Sequence, residues 1–408
     1  MRSGWQVGTI FGIPLMLDTS WFLILALLTL SNAARFQAAG LPGTAAWVTG
    51  LILSLSLFGS VLLHELGHSL TALSQGIKVN SITLFVFGGV ASIEQESKTP
   101  WQAFQVAIAG PTVSFALFLL LGGAVQVLPI PEPYDAVVLE LAIINGILAI
   151  FNMLPGLPLD GGQVLKALVW KVTGSRLKGL RWAAIAGKTL GWAIIGLGIF
   201  LFLQAGSGGA LWSVLIGWFI LNNANSYSRV ADLQEAVSDL SAAEAMTRDF
   251  RVVEASITLQ RFTEDYLLRE EGRYPAFFAA SEGRYRGQVL PDDLQQIERS
   301  EWNYQTLQAI AHPLDEIPTV AEATPLTEAI DQLERLSLSR ITVLTPAGAV
   351  AGVIDRGDII RALAQKLGVS VPEKMIQQIK EEGKFPPSLP LQAIAKSMLD
   401  EPKNARSS

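Results

Sequence analysis

Six apolar segments, near residues 14 to 33, 45 to 73, 103 to 128, 136 to 172, 180 to 204 and 208 to 226, each offer the run of about 20 residues that a helix needs to cross a bilayer core. A chain so built can satisfy its backbone in lipid only with helices. Half of its 408 residues are hydrophobic and 16% are charged, against roughly a quarter in soluble domains. The charges gather beyond about Asn225, so the expected architecture is an α-helical polytopic membrane domain of six transmembrane helices over residues 1–228, followed by a soluble region. The N-terminal "MRSGWQVGTIFGIPLMLDTSWFLILALLTL" has no small-residue cleavage site and reads as a retained first helix.

The fourth segment is too long for one span and is interrupted by Pro155, Gly156, Pro158, Gly161 and Gly162. Broken backbone at membrane depth is tolerated only inside protein or beside a wet cavity, so the break marks an internal site. Lys166, Lys171, Arg176, Lys178 and Arg181 follow it, while "PIPEPYDA" and "QAGSGGA" on the other side carry no basic residue. By the positive-inside rule both termini face the cytoplasm, in a plasma (inner) membrane.

Within the second segment stands "SVLLHELGHSLTAL". Residues four apart share a helix face, so His64 and His68 present two imidazoles to one metal ion, with Glu65 beside them. Ionisable groups in a membrane helix are costly and mark a functional interior. Two of only three histidines in the chain lie in this pentapeptide. With no cysteine, a metal must sit on histidine, carboxylate or water. A catalytic zinc needs three protein ligands and one open position. No glutamate lies a short distance downstream on the same helix, and Glu94 and Glu96 fall beyond the Gly-rich "FVFGGVASIEQE". The better third ligand is Asp160 in "FNMLPGLPLDGGQVL", although an Asp before Gly-Gly also suits a helix N-cap. Asn152 is a candidate donor to a developing oxyanion, or an amide that satisfies the broken helix.

Taken in order, HELGH at 64 to 68, "FGGVA" at 87 to 91, "AGP" at 109 to 111 and "NMLPGLPLDGG" at 152 to 162 resemble the site-2 protease family of intramembrane metalloproteases, peptidase M50. The branch is the one with cystathionine-β-synthase (CBS) domains, and the likeness runs to about residue 368. It implies a zinc on His64, His68 and Asp160, with Glu65 as general base. It also implies that "VNSITLFVFGGVASIE" is a short membrane-associated β-hairpin whose edge pairs with an unwound substrate. The implied partners are the lipid bilayer and single-pass transmembrane substrates such as a membrane-anchored anti-sigma factor or transcription regulator.

The soluble half repeats itself: "GQVLPDDL" returns as "GVIDRGDII", and "RYPAFFAAS" and "SRITVLTPAG" read as buried strands in units of strand, helix, two strands, helix. After a linker at 229–240, this resembles a soluble α/β tandem CBS domain pair over 241–368, its repeats at about 241–296 and 315–366, followed by a tail at 369–408. Asp293 and Asp358 keep the position that binds a nucleotide's ribose in that family. The Ser/Thr position is instead Leu290 and Asp355. The pair therefore reads either as an adenine-nucleotide site or as a dimerising module that makes a homodimer. A pI near 5.3 argues against nucleic acid. A CBS-gated transporter or channel would need repeated membrane halves. An inactive scaffold would predict decay of the motif, yet both histidines, Glu65 and Asp160 stand.

Overall fold

A computed structural model describes residues 4–399 apart from positions 133, 207, 270–273, 388 and 390. Positions 400–408 of the expected tail and Arg273 of an expected strand lie outside the described residues. The chain divides into two units after Ala231.

The first unit opens on strands where a helix was expected. β1 (Trp5–Ile10) and β2 (Ile13–Leu17) form an antiparallel hairpin whose turn residues Phe11 and Gly12 have φ of 50° and 80°, the geometry of a two-residue turn matched to strand twist. A hydropathy window adds up apolar residues and is blind to the period of two that marks a strand. The first helix, α1 (Thr19–Ala38), begins where Asp18 caps it, accepting from the Ser20 amide at 2.9 Å.

After α2 (Gly43–Ser74) come β3 (Val79–Phe85) and β4 (Gly88–Ile93), the hairpin read from "VNSITLFVFGGVASIE". β2 and β3 run parallel, giving a sheet of order β1-β2-β3-β4 in which β4 is an edge. The remaining helices are α3 (Pro100–Val127), α4 (Tyr134–Asn152), α5 (Asp160–Thr173), α6 (Arg176–Ala205) and α7 (Gly208–Asp239). Among the described residues five helices, α1, α2, α3, α4 and α6, are long and apolar enough to cross a membrane. The sixth apolar segment forms the first half of α7. The interrupted fourth segment splits into α4 and α5 with a turn between. At Gly161 a Cβ would lie 2.3 Å from the Met153 carbonyl oxygen, so only glycine lets α5 start against the end of α4.

In the second unit, the end of α7 and α8 (Ala242–Ala245) precede β5 (Phe250–Glu254), α9 (Leu259–Phe262), β6 (Ala276–Ser281), β7 (Arg284–Val289) and the short β8 (Ala311–His312). The second repeat follows as β9 (Thr319–Ala321), α10 (Leu326–Arg335), β10 (Ile341–Leu344), β11 (Val350–Ile354) and α11 (Arg356–Leu367). Two sheets result, β5-β6-β7-β8 and β11-β10-β9, each with one parallel pair of strands. Phe262, Phe277 and Leu259 fill the first core.

The second core reaches beyond its repeat. Leu326, Ile330 and Ile359 pack with Val237 at the end of α7 and Ala242 of α8, and with Ile379, Leu391 and Ile394 from the expected tail. Those tail residues lie on α12 (Glu373–Glu382) and α13 (Leu391–Leu399). Each buried Leu or Ile contributes about 1.5–3 kcal/mol. α12 and α13 are therefore part of that core.

Candidate metal centre

His64 and His68 lie four residues apart on α2 and are buried, with 4% and 8% of their surface exposed. Asp160 is the first residue of α5, and the N-cap position there is Leu159, which makes no side-chain capping bond. Its carboxylate reaches the histidines instead. His64 Nε2 lies 3.0 Å from Asp160 Oδ2, His68 Nε2 lies 3.3 Å from Asp160 Oδ1, and the two Nε2 atoms are 3.3 Å apart.

These separations test whether a metal fits. Two ligands bonded at about 2.0–2.1 Å to a tetrahedral zinc stand about 3.3 Å apart, close to the 3.3 Å between the two Nε2 atoms and to the 3.0 and 3.3 Å by which each approaches one of the two Asp160 oxygens. The facing wall also leaves room, because Gly110 on α3 has no side chain where a Cβ would lie 2.2 Å from His68 Nε2 and 2.7 Å from His64 Nε2. Two imidazole nitrogens and a carboxylate oxygen form the donor set of a catalytic zinc.

The other ring nitrogens are held as well. His64 Nδ1 lies 2.9 Å from Ser114 Oγ, and His68 Nδ1 lies 2.6 Å from the Val106 carbonyl oxygen. Glu65, between the histidines in sequence, turns toward the sheet: a Cβ on Gly89 of β4 would lie 2.6 Å from its Cγ. Asn152 ends α4 and is half-buried, and among the described residues no side-chain hydrogen bond ties it to the histidine pair. Sequence reasoning missed Ser114, Gly89 and Gly110. The glycines stood in the "FGGVA" and "AGP" motifs without an assigned role, and Ser114 follows Gly110 by one helical turn.

A family model described as Peptidase family M50 matches residues 52–135 and 132–194, and one described as CBS domain matches 309–365. A Synechocystis relative, named as a zinc metalloprotease, is 41% identical over 89% of this chain and 96% of its own length. The chain belongs to peptidase family M50. It is a zinc metalloprotease of the site-2 protease group with a C-terminal CBS domain, and an integral membrane protein. Rip3 of Mycobacterium tuberculosis, likewise named as a zinc metalloprotease, is 32% identical to this M50 chain over 89% of it and 93% of the relative. The solved site-2 protease of Methanocaldococcus jannaschii is 30% identical and covers 55% of the M50 chain and 95% of its own, with a TM-score of 0.41.

In the protease's second unit, the two aspartates singled out for a nucleotide already have partners within the chain. Asp293 lies 2.7 Å from His312 Nε2 and accepts from Gln296 at 3.1 Å. Asp358 accepts from Lys380 Nζ at 2.6 Å, Arg361 at 3.1 Å and Thr247 at 3.2 Å. Lys380, from α12, also stands 3.2 Å from Asp355 Oδ2. Asp355 and Asp358 form a reciprocal capping box at the start of α11. Burial pushes the Asp358 carboxyl up from its ordinary value, the Asp355 charge adds to this, and Lys380 opposes it.

Proposed function

We propose that the chain is an intramembrane endopeptidase that hydrolyses peptide bonds of single-pass membrane proteins within or near their transmembrane segment. In this reading His64, His68 and Asp160 hold the zinc. The observation that carries it is the set of separations of 3.0 to 3.3 Å among three donors from two helices. A zinc bound there would supply a water whose pKa is strongly lowered. Glu65 would accept the proton of an attacking water and pass it to the leaving nitrogen, and Asn152 would donate to the substrate carbonyl oxygen as it gains charge.

The substrate adds to β4 as a strand. The β3–β4 hairpin closes on the Phe85 and Gly88 pair, so Gly89 and Ala91 fall at non-hydrogen-bonded positions and turn their N–H and C=O groups toward the free edge. That edge passes Glu65 at Gly89. An unwound segment bonded there would lay its peptide bonds beside the base.

Six spans complete the reading, the sixth being the apolar half of α7, with the hairpin membrane-associated and both termini cytoplasmic. The domain limits are residues 1–228, 229–240 and 241–368. The CBS pair controls cleavage and forms a homodimer, and an adenine nucleotide entering it displaces His312 from Asp293 or Lys380 from Asp358. Membrane-anchored anti-sigma factors or transcription regulators are the substrate class. The test is purified protein with a single-pass model substrate, its fragments mapped by mass spectrometry. Cleavage inside or next to the membrane segment, abolished in Glu65→Gln while zinc stays near one per chain, is the expected result. Full activity in that variant overturns it.

A further inference from the structure

We infer that one face of α3 is the template that sets both histidines for metal, with Ser114 as the positioning residue of His64. Residues 106, 110 and 114 are four apart and share a face, as do His64 and His68 on α2. The two faces meet rung by rung: Val106 O at 2.6 Å from His68 Nδ1, Ser114 Oγ at 2.9 Å from His64 Nδ1, and Gly110 between them with nothing beyond its backbone. Each outer rung holds one ring by the nitrogen that the metal does not use, and the middle rung keeps the space before both Nε2 atoms open.

The outer rungs differ in chemistry. A carbonyl oxygen only accepts, so Val106 holds a proton on His68 Nδ1 and leaves Nε2 to face the metal position. A hydroxyl both donates and accepts, so Ser114 keeps its bond to His64 in either tautomer. A metal held through His64 Nε2 needs the ring's proton on Nδ1, where Ser114 Oγ accepts it at 2.9 Å. Ser114 is fully buried at 0% exposure, so no water stands in for a lost hydroxyl.

The inference rests on His64, His68 and Asp160 being the zinc ligands. The experiment uses full-length purified protein, zinc affinity measured by chelator competition, and the visible absorption of cobalt in place of zinc. Ser114→Ala, which is smaller and favours helix, should weaken zinc binding about 10- to 100-fold and alter the cobalt spectrum. Ser69→Ala, which removes a buried hydroxyl one residue from His68 that has no hydrogen-bond partner among the described residues, should change neither. Gly110→Ala should bind no zinc at parent affinity. Parent-like affinity, within about twofold, together with an unchanged cobalt spectrum in Ser114→Ala, would overturn the template while leaving the ligands in place. Parent protein that binds no zinc would instead remove the ligand assignment itself.

Discussion

Lys166 Nζ donates to Glu96 Oε2 at 2.7 Å. The lysine is buried on the helix that begins with Asp160, and the glutamate stands three residues beyond β4, the strand that passes Glu65. Arg176, at the start of α6, grips the same carboxylate. One acidic side chain thus ties the strand edge to the helix that carries Asp160. Glu94 and Glu96 entered the sequence reading only as rejected ligands, and the structure gives Glu96 this different task.

Glu96→Gln should therefore lower kcat/KM for a membrane substrate about tenfold, roughly 1.4 kcal/mol, mainly through KM, while zinc content stays at parent level. The measurement is steady-state cleavage beside metal analysis. A loss of zinc in step with activity would place the clamp's effect at Asp160 instead of at the strand edge.

Asp160→Ala removes one of the three candidate donors and should lower both zinc occupancy and cleavage. Unchanged zinc by metal analysis would show that the carboxylate only hydrogen-bonds the histidines.

Topology is open to a separate check. Reporters fused after residues 132 and 206 should read as outside, and one fused after Arg176 as inside. The opposite pattern would overturn the loop-charge argument.

Lys380→Met leaves two buried carboxylates without their shared cation, and breaking a buried pair costs about 3–5 kcal/mol. The sign with pH follows from Asp358, whose folded carboxyl titrates above its ordinary value of 3.8. Stability linked to it is fully present below that value and is lost as pH rises through the raised one. Removing Lys380 deepens the loss. Amide exchange in α11 and α12 should accelerate in the variant far more at about pH 7 than at about pH 4. Equal acceleration at both would deny the carboxylates this role.

Much of the candidate site was legible because membrane residence makes charge expensive. In an apolar helix, His64, Glu65 and His68 stand out without any knowledge of the fold, and Asp160 stands out within its broken segment. What stayed hidden depends on contacts across the chain. Nothing in the spacing of Ser114 says that it faces His64 fifty residues away, and an absent side chain at Gly110 carries no signal until α3 is laid against α2. The N-terminal hairpin was lost because "FGIPLML" is apolar enough to pass for helix. The C-terminal helices were read as a tail because a short amphipathic segment there is mixed with prolines such as Pro372, Pro386 and Pro387 and ends polar, whereas Leu391 and Ile394 close the second CBS core.

The gap at Gly110 also shapes how the sequence can drift. Most core positions tolerate trade-offs, in which one side chain shrinks as its neighbour grows. Position 110 has no such freedom, because no residue is smaller than glycine and the neighbours it would push are the donor nitrogens themselves. In a saturation library selected for cleavage, every substitution at 110 should fall on the same side of neutral, with alanine no safer than leucine. Rescue would have to come from residues that shift the backbone of α3 away from α2, not from any change of volume nearby.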